Sequence, residues 1–175
     1  MIETSLIITY LEMTTPAEFH PAYSPDPILS ITESVIPLVP FYRFLYNTVG
    51  APWRWYDRRA LSDEQLEAQL SKPNINLYVL YVSGTPAGYI ELDRQTDGNT
   101  EVAYFGLIPQ FFGRGYGKHL LSFGVQRAWD MGAKRVWVHT CNLDSPAALP
   151  TYQRCGFRIY DVTEQPMPAK YMVPA

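Results

Sequence analysis

The chain has 175 residues, 47% of them hydrophobic, which matches one ordinary domain with enough apolar material for a sizeable core. Its 14 basic residues nearly balance its 17 acidic ones, for a net charge of −3, and no basic run of the kind that coats a phosphate backbone occurs, which argues against nucleic acid as the main partner. Two cysteines, Cys141 and Cys155, are too few for a disulfide framework, the opening MIETSLIITYLEMTT lacks a basic leader and a small-residue cleavage site, and no apolar stretch approaches the ~18 to 20 residues of a membrane span. The expectation is one soluble, reduced, cytoplasmic domain over residues 1–175, with no membrane partner.

In chain order, SLIITYLEM (Ser5 to Met13) is β-branched and aromatic and reads as a first strand. Seven of the 15 prolines fall between Pro16 and Pro52, so the connection that follows is stiff and irregular, with room in ILSITESVI for one short strand. FYRFLYNTV (Phe41 to Val49) places Phe41, Phe44, Leu45 and Thr48 at helical spacing, with Gly50 as a stop. LSDEQLEAQLSKP is a better-signalled helix, with Ser62 as N-cap, Asp63 and Glu64 in the first turn, Gln65 in the capping-box place and Pro73 beyond the end. NLYVLYV, AGYIELD and EVAYFGLI, joined by the turns SGTPAG and TDGN, form an antiparallel three-strand meander. A second amphipathic stripe, Leu120, Leu121, Gly124, Val125, Ala128 and Trp129, predicts a helix ending near Gly132. RVWVHTC is a buried strand. DSPAALPTYQRCGF predicts a helix with Ser145 as N-cap, Pro146 at the first position and Gly156 as stop, before a last strand in FRIYDV.

Between the meander and the second stripe lies FFGRGYGKHLL, with Gly113, Gly115 and Gly117 on alternate positions. A strand, a glycine loop and a helix start make an anion site, because first-turn N–H groups have no intrahelical acceptor and the helix dipole adds positive charge. Spacing discriminates among the users of this device. A P-loop would need Ser or Thr after Lys118 and glycine at 112, where His119 and Phe112 stand. A dinucleotide fingerprint needs G-x-G-x-x-G inside a βαβ unit, whereas this loop is G-x-G-x-G after an antiparallel meander.

The remaining class is acyl-CoA binding, and here the sequence resembles the GNAT superfamily of acyl-CoA-dependent N-acyltransferases. LIPQFFGRGYGKHLL is similar to that family's pyrophosphate motif, [QR]-x-x-G-x-[GA], read from Gln110 or, with better spacing to the following Leu-Leu pair, from Phe112. The second register puts Phe112 where the family has Gln or Arg. SPAALPTYQRCGF resembles the family's N-x-x-A-x-x-x-Y-x-x-x-G-F, with Ala148, Tyr152, Gly156 and Phe157 in place and Ser145 for Asn; Pro150 departs from the pattern and predicts a break or bend one turn into the helix. The order of elements over most of the chain also matches. The resemblance implies an α/β (α+β) fold, a mixed and mostly antiparallel central sheet flanked by helices on both faces. It implies acetyl-CoA as cosubstrate, held by Gly113, Arg114, Gly115, Tyr116, Gly117, Lys118 and Ser145, with pantetheine paired to the splayed strand end at Phe105, Gly106 and Leu107, and no metal.

Acyl transfer from a thioester to an amine needs a neutral amine, a stabilised oxyanion and a proton for the departing thiolate. The resemblance places Tyr152 beside the sulfur as general acid and Glu101 at the general-base position. Glu91, a charge inside an apolar strand, is an alternative base or a binder of a cationic acceptor. His139 reads as a hydrogen-bonded core residue and Cys141 as a structural thiol. Trp53, Trp55 and Tyr56 stand where the family builds its acceptor wall, with Arg58 and Arg59 read as solvated if that cluster only closes the core. Two activities fit these residues: an N-acetyltransferase acting on a primary amine, and a non-catalytic acyl-CoA-binding module. Homodimers are frequent among proteins of this resemblance.

Overall fold

The computed structural model describes residues 4–172. Its strands are β1 (Ser5–Met13), β2 (Leu29–Glu33), β3 (Ile75–Val82), β4 (Thr85–Arg94), β5 (Asn99–Leu107), β6 (Arg135–Cys141) and β7 (Arg158–Pro166), and its helices are α1 (Val39–Gly50), α2 (Asp63–Leu70), α3 (Tyr116–Asp130) and α4 (Ala148–Cys155). One mixed sheet runs β2-β3-β4-β5-β6-β1-β7, antiparallel everywhere except at the β5–β6 contact. Helices cover both faces. Tyr42, Leu45, Leu66 and Leu77 belong to the core under α1 and α2, and Leu11, Ile90, Leu120 and Val125 to the core under α3 and α4.

Local signals place most elements. Ser62 Oγ accepts the Gln65 N–H at 3.2 Å and the Gln65 side chain returns to the Ser62 N–H at 2.9 Å, the reciprocal bonds of a capping box at the head of α2. Ser83 and Gly84 both have positive φ, a two-residue type I′ turn whose twist matches strands β3 and β4.

Three readings are corrected, and one is refined. The buried face of α1 is Tyr42, Leu45, Tyr46 and Val49, one residue out of phase with the expected stripe, and Phe44 is exposed. Both sets have helical spacing, and the tyrosine face wins because it meets Tyr89 and a buried carboxylate on β4. The short strand expected within ILSITESVI is present at Leu29–Glu33, with Val35 and Ile36 exposed beyond its end. Ser145 is not the N-cap of α4: its Oγ accepts the Ala147 N–H at 3.3 Å in a preceding turn, and Ala147 occupies the cap. Pro150 neither breaks nor bends the helix; lacking an N–H for Pro146, it delays the helix start to Ala148 and so lies in the first turn, where no donor is needed.

Two features of the sheet shape the site. Opposite Glu91 and Leu92, β5 carries a bulge at Ala103, which changes the phase of the strand so that Val102 packs under α3 while Tyr104 packs under α1. The parallel β5–β6 pairing covers only Asn99, Thr100 and Glu101 against Arg135, Val136 and Trp137. Beyond those residues the strands part.

Candidate active site

The glycine loop follows a short 3-10 turn at Pro109–Phe111, and Gly113 and Gly115 take left-handed φ of 77° and 78°. That conformation costs an L-residue strain, and glycines in it let the backbone N–H groups of the loop approach a ligand closely. Gly115 caps α3 with no side chain on its first-turn donors, and a Cβ built on Gly113 would meet nothing within 4 Å. Nothing in the protein's own packing therefore requires the bareness at Gly113, which leaves the backbone open to a ligand. Arg114 and Lys118 are exposed beside it, and neither is ion-paired among the described residues. Tyr116 contributes only its backbone N–H to this rim, because its side chain is buried and reaches Asp26 at 3.3 Å.

The loop opens into a cavity of about 960 Å³ that runs through the gap between β5 and β6. Phe105, Gly106 and Leu107 line it from the free side of β5, and Tyr152 and Ser145 from the α4 side. Tyr152 is held by a tilted contact to Phe105, centroids 6.0 Å apart, and an edge contact to Phe157 at 5.9 Å, and its hydroxyl makes no hydrogen bond among the described residues. Burial, helped by nearby Asp144, pushes its phenol far above the ordinary value, so it carries its proton at any physiological pH. At the other end of the cavity, Glu101 Oε1 lies 3.3 Å from His139 Nδ1. A glycine cradle, a splayed strand, a phenol and a carboxylate thus share one space.

Residues 42–157 match the family model described as the acetyltransferase (GNAT) family. The chain belongs to the GNAT acetyltransferase family. Among solved structures, an IAA acetyltransferase from Bacillus cereus is similar at 26% identity and TM-score 0.59, over 76% of this chain and 79% of that one. A GCN5-related N-acetyltransferase from Kribbella flavida aligns at 15% identity and TM-score 0.65, over 95% of this chain and 61% of its own. An aminoglycoside acetyltransferase from an uncultured soil metagenomic sample aligns at 18% and 0.62, over 74% and 88%. The chain spans about 60% of the length of the first solved structures it matches.

In this GNAT domain Glu91 does not face the cavity. It is 0% exposed, receives the Tyr42 hydroxyl at 2.5 Å and the Arg58 guanidinium at 2.6 Å, and sits beneath α1. Burial raises its pKa, opposed by the Arg58 charge and the Tyr42 hydrogen bond. Neither expected role, base or binder of a cationic acceptor, is open to it, because no substrate atom can reach it. Its partner was misjudged as well: the Arg58 side chain is only 12% exposed, lies 5.2 Å from the Tyr104 ring, and reaches the cavity wall. Burial is the largest single effect on the Arg58 pKa and works to lower it, but the charge of Glu91 together with Tyr42 and Tyr104 outweighs it and the net shift is upward, so the guanidinium stays charged.

The aromatic wall divides. Trp55 packs against Tyr46 and Tyr104 with centroids at 5.4 and 5.3 Å, and its Nε1 donates to Asp144 at 3.3 Å, tying the α1–α2 connection to the loop after β6. Asp144 also receives Thr140 Oγ1 at 2.8 Å and the Cys141 N–H at 3.0 Å, so it braces the turn leading to α4. Trp53 instead faces the glycine loop, 6.5 Å from Phe112, and Tyr56 is exposed at the rim. Cys141 lines the cavity as a thiol, its pKa pushed up to about 11 by burial. His139 is no core residue: its side chain is 46% exposed on the cavity wall. Sequence reasoning missed Arg58, Asp144 and His139 as parts of the site, and only the alternation of RVWVHTC, which puts His139 on the face opposite Val136 and Val138, hinted at any of them.

Proposed function

We propose that this GNAT domain is an N-acetyltransferase that moves an acetyl group directly from acetyl-CoA to a primary amine. The observation that carries the reading is the continuity of the cavity from the glycine cradle, past the unpaired strand end, to Tyr152 and Glu101. The N–H groups of Gly113 to Lys118, with Arg114 and Lys118, take the pyrophosphate by charge-assisted hydrogen bonds. The free backbone of Phe105 to Leu107 pairs with the pantetheine and supplies an N–H to the thioester oxygen, as oxyanion stabilisation requires. Tyr152 gives its phenolic proton to the departing thiolate, and the Glu101 end of the cavity receives the proton of the amine. Trp55, Tyr56 and Tyr104 form the wall on the acceptor side. Solved structures of similar fold include proteins described as aminoglycoside and IAA acetyltransferases, which supports acetyl transfer without specifying the acceptor of this one.

The test is a thermal-shift panel followed by an amine screen for thiol release. Acetyl-CoA at 100 times its dissociation constant adds about 2.7 kcal/mol, a rise of several degrees, and ATP and NAD add far less; equal shifts from ATP and CoA refute the assignment of the loop. Tyr152→Phe keeps the ring and deletes the proton, so acetyl-CoA affinity holds while turnover drops ~10²-fold or more. A wild type that binds acetyl-CoA and releases thiol with no amine favours the non-catalytic binding module.

A further inference from the structure

The closed-in placement of Glu91 leaves the basic end of the cavity to Glu101 and its neighbour. Glu101 is itself tucked in, its side chain 15% exposed, and it lies 3.3 Å from His139, which also lines the cavity. His139 stands on β6 two residues beyond Trp137, the last parallel contact with β5, where the strands part and the cavity begins. Its Nδ1 faces the carboxylate, and the imidazole has no other hydrogen-bond partner among the described residues. The carboxylate therefore selects the tautomer with hydrogen on Nδ1 and leaves the Nε2 lone pair free. An amine entering the cavity meets the exposed imidazole before it meets the recessed carboxylate.

We propose that His139 is the proton acceptor for the amine and that Glu101 is its positioning residue, which orients the ring and stabilises the imidazolium. This rests on the acetyltransferase reading above. The amine nitrogen forms a bond to the acetyl carbon and its proton passes to His139 Nε2. The carbon–sulfur bond breaks, and the thiolate takes the phenolic proton of Tyr152. The imidazolium then returns a proton to solvent and the phenolate regains one, so both residues are restored.

The surroundings favour the charged form of the ring, so its pKa lies above the ordinary imidazole value. From β5, Glu101 stabilises the charged form; from the loop after β6 and the α1–α2 connection, Asp144 and Asp57 add in the same direction. Tyr10 of β1 and Trp137 of β6 flank the ring at 5.9 and 6.1 Å. The nearby cations are engaged elsewhere: Arg58 on Glu91, Arg135 on Glu12, Lys170 on Asp57, and Arg54 on the Tyr171 carbonyl. Hydrogen bonding to Glu101 raises the His139 pKa against the opposing effect of partial burial.

The experiment titrates the His139 imidazole by NMR in wild type and Glu101→Gln, and measures pH–rate profiles of thiol release for wild type, Glu101→Gln and His139→Gln on an amine from the screen. The expected result is a His139 pKa that falls in Glu101→Gln, with the acid limb of kcat/KM moving by the same amount. His139→Gln abolishes that limb and lowers turnover ~10²-fold, with acetyl-CoA affinity close to wild type. An active wild type whose His139→Gln variant keeps both rate and limb overturns this inference alone, as does a limb that stays put while the NMR pKa moves. A wild type inert toward every amine overturns the acetyltransferase reading and this one with it.

Discussion

Replacing Glu91 separates a structural ion pair from a catalytic carboxylate. In Glu91→Leu the Arg58 guanidinium, 12% exposed and with its Nε already lacking a partner, loses its counter-charge, and the Tyr42 hydroxyl loses its acceptor. Breaking a buried pair on one side costs about 3 to 5 kcal/mol, and an orphaned buried hydroxyl adds about 1 to 3 kcal/mol. Against the ~5 to 15 kcal/mol that holds a domain together, and at ~2 to 4 °C per kcal/mol for a chain of this size, the melting point falls by about 10 °C or more. Glu91→Gln preserves shape and one acceptor oxygen but still removes the Arg58 counter-charge, so its cost is about 3 to 5 kcal/mol without the full added penalty of an orphaned hydroxyl. The double variant Glu91→Leu, Arg58→Met removes both charges and recovers most of the loss, because the penalty lies in the unpaired cation rather than in the absent pair. Urea unfolding followed by circular dichroism gives the three differences, and thiol release is measured on whatever remains folded. A Glu91→Leu protein within about 1 kcal/mol of wild type would show that the pair does not hold Arg58 in place. A Glu91→Gln protein of wild-type stability whose turnover collapses would return Glu91 to the chemistry.

Three further outcomes follow from the geometry. Gly115→Val forces a β-branched residue into left-handed backbone at the cap of α3, at a strain of about 1 to 3 kcal/mol; thermal shift should show a folded protein with little or no stabilisation by acetyl-CoA, and an undiminished CoA shift would refute the cradle. Gly156→Ala places a Cβ onto the Glu18 carbonyl oxygen at φ +112°, so strain and overpacking together cost about 2 to 6 kcal/mol, read by denaturant unfolding; a cost under 1 kcal/mol would mean the contact yields freely. Because Glu101 raises the His139 pKa, the pair's stabilisation is full below about pH 6.5 and is lost as pH rises through the folded value. The melting-temperature gap between wild type and Glu101→Gln should therefore be widest near pH 6 and shrink toward pH 9, and a gap constant over that range would contradict the pairing.

Much of what depends on neighbours in sequence was legible without the structure, although the local signals at Ser145 and Pro150 misplaced the start of α4. The Ser62–Gln65 capping box, a turn within SGTPAG, the α3 stripe and the glycine loop are set by bonds and spacings within a few residues, and the structure has them there, the turn narrowing to Ser83 and Gly84. Family membership was legible for the same reason, since the loop and the Tyr152 segment are contiguous motifs. What required the tertiary structure is every choice made between distant segments. β1 reads as a strand from its residues, yet its place between β6 and β7, across the sheet from the meander, is decided by pairing with residues more than a hundred positions away. The phase of α1 turned on which of two helical stripes met Tyr89 and Glu91 on β4. Glu91 looked like a displaced catalytic carboxylate because a lone charge in an apolar strand gives no sign of its partners, and Tyr42 and Arg58 arrive from 49 and 33 residues away. His139 looked buried because its strand is apolar, and became accessible only because β5 and β6 separate after Glu101 and Trp137. Backbone chemistry and periodicity act over a turn or two of chain, whereas burial and charge pairing depend on which surfaces the packed chain brings together.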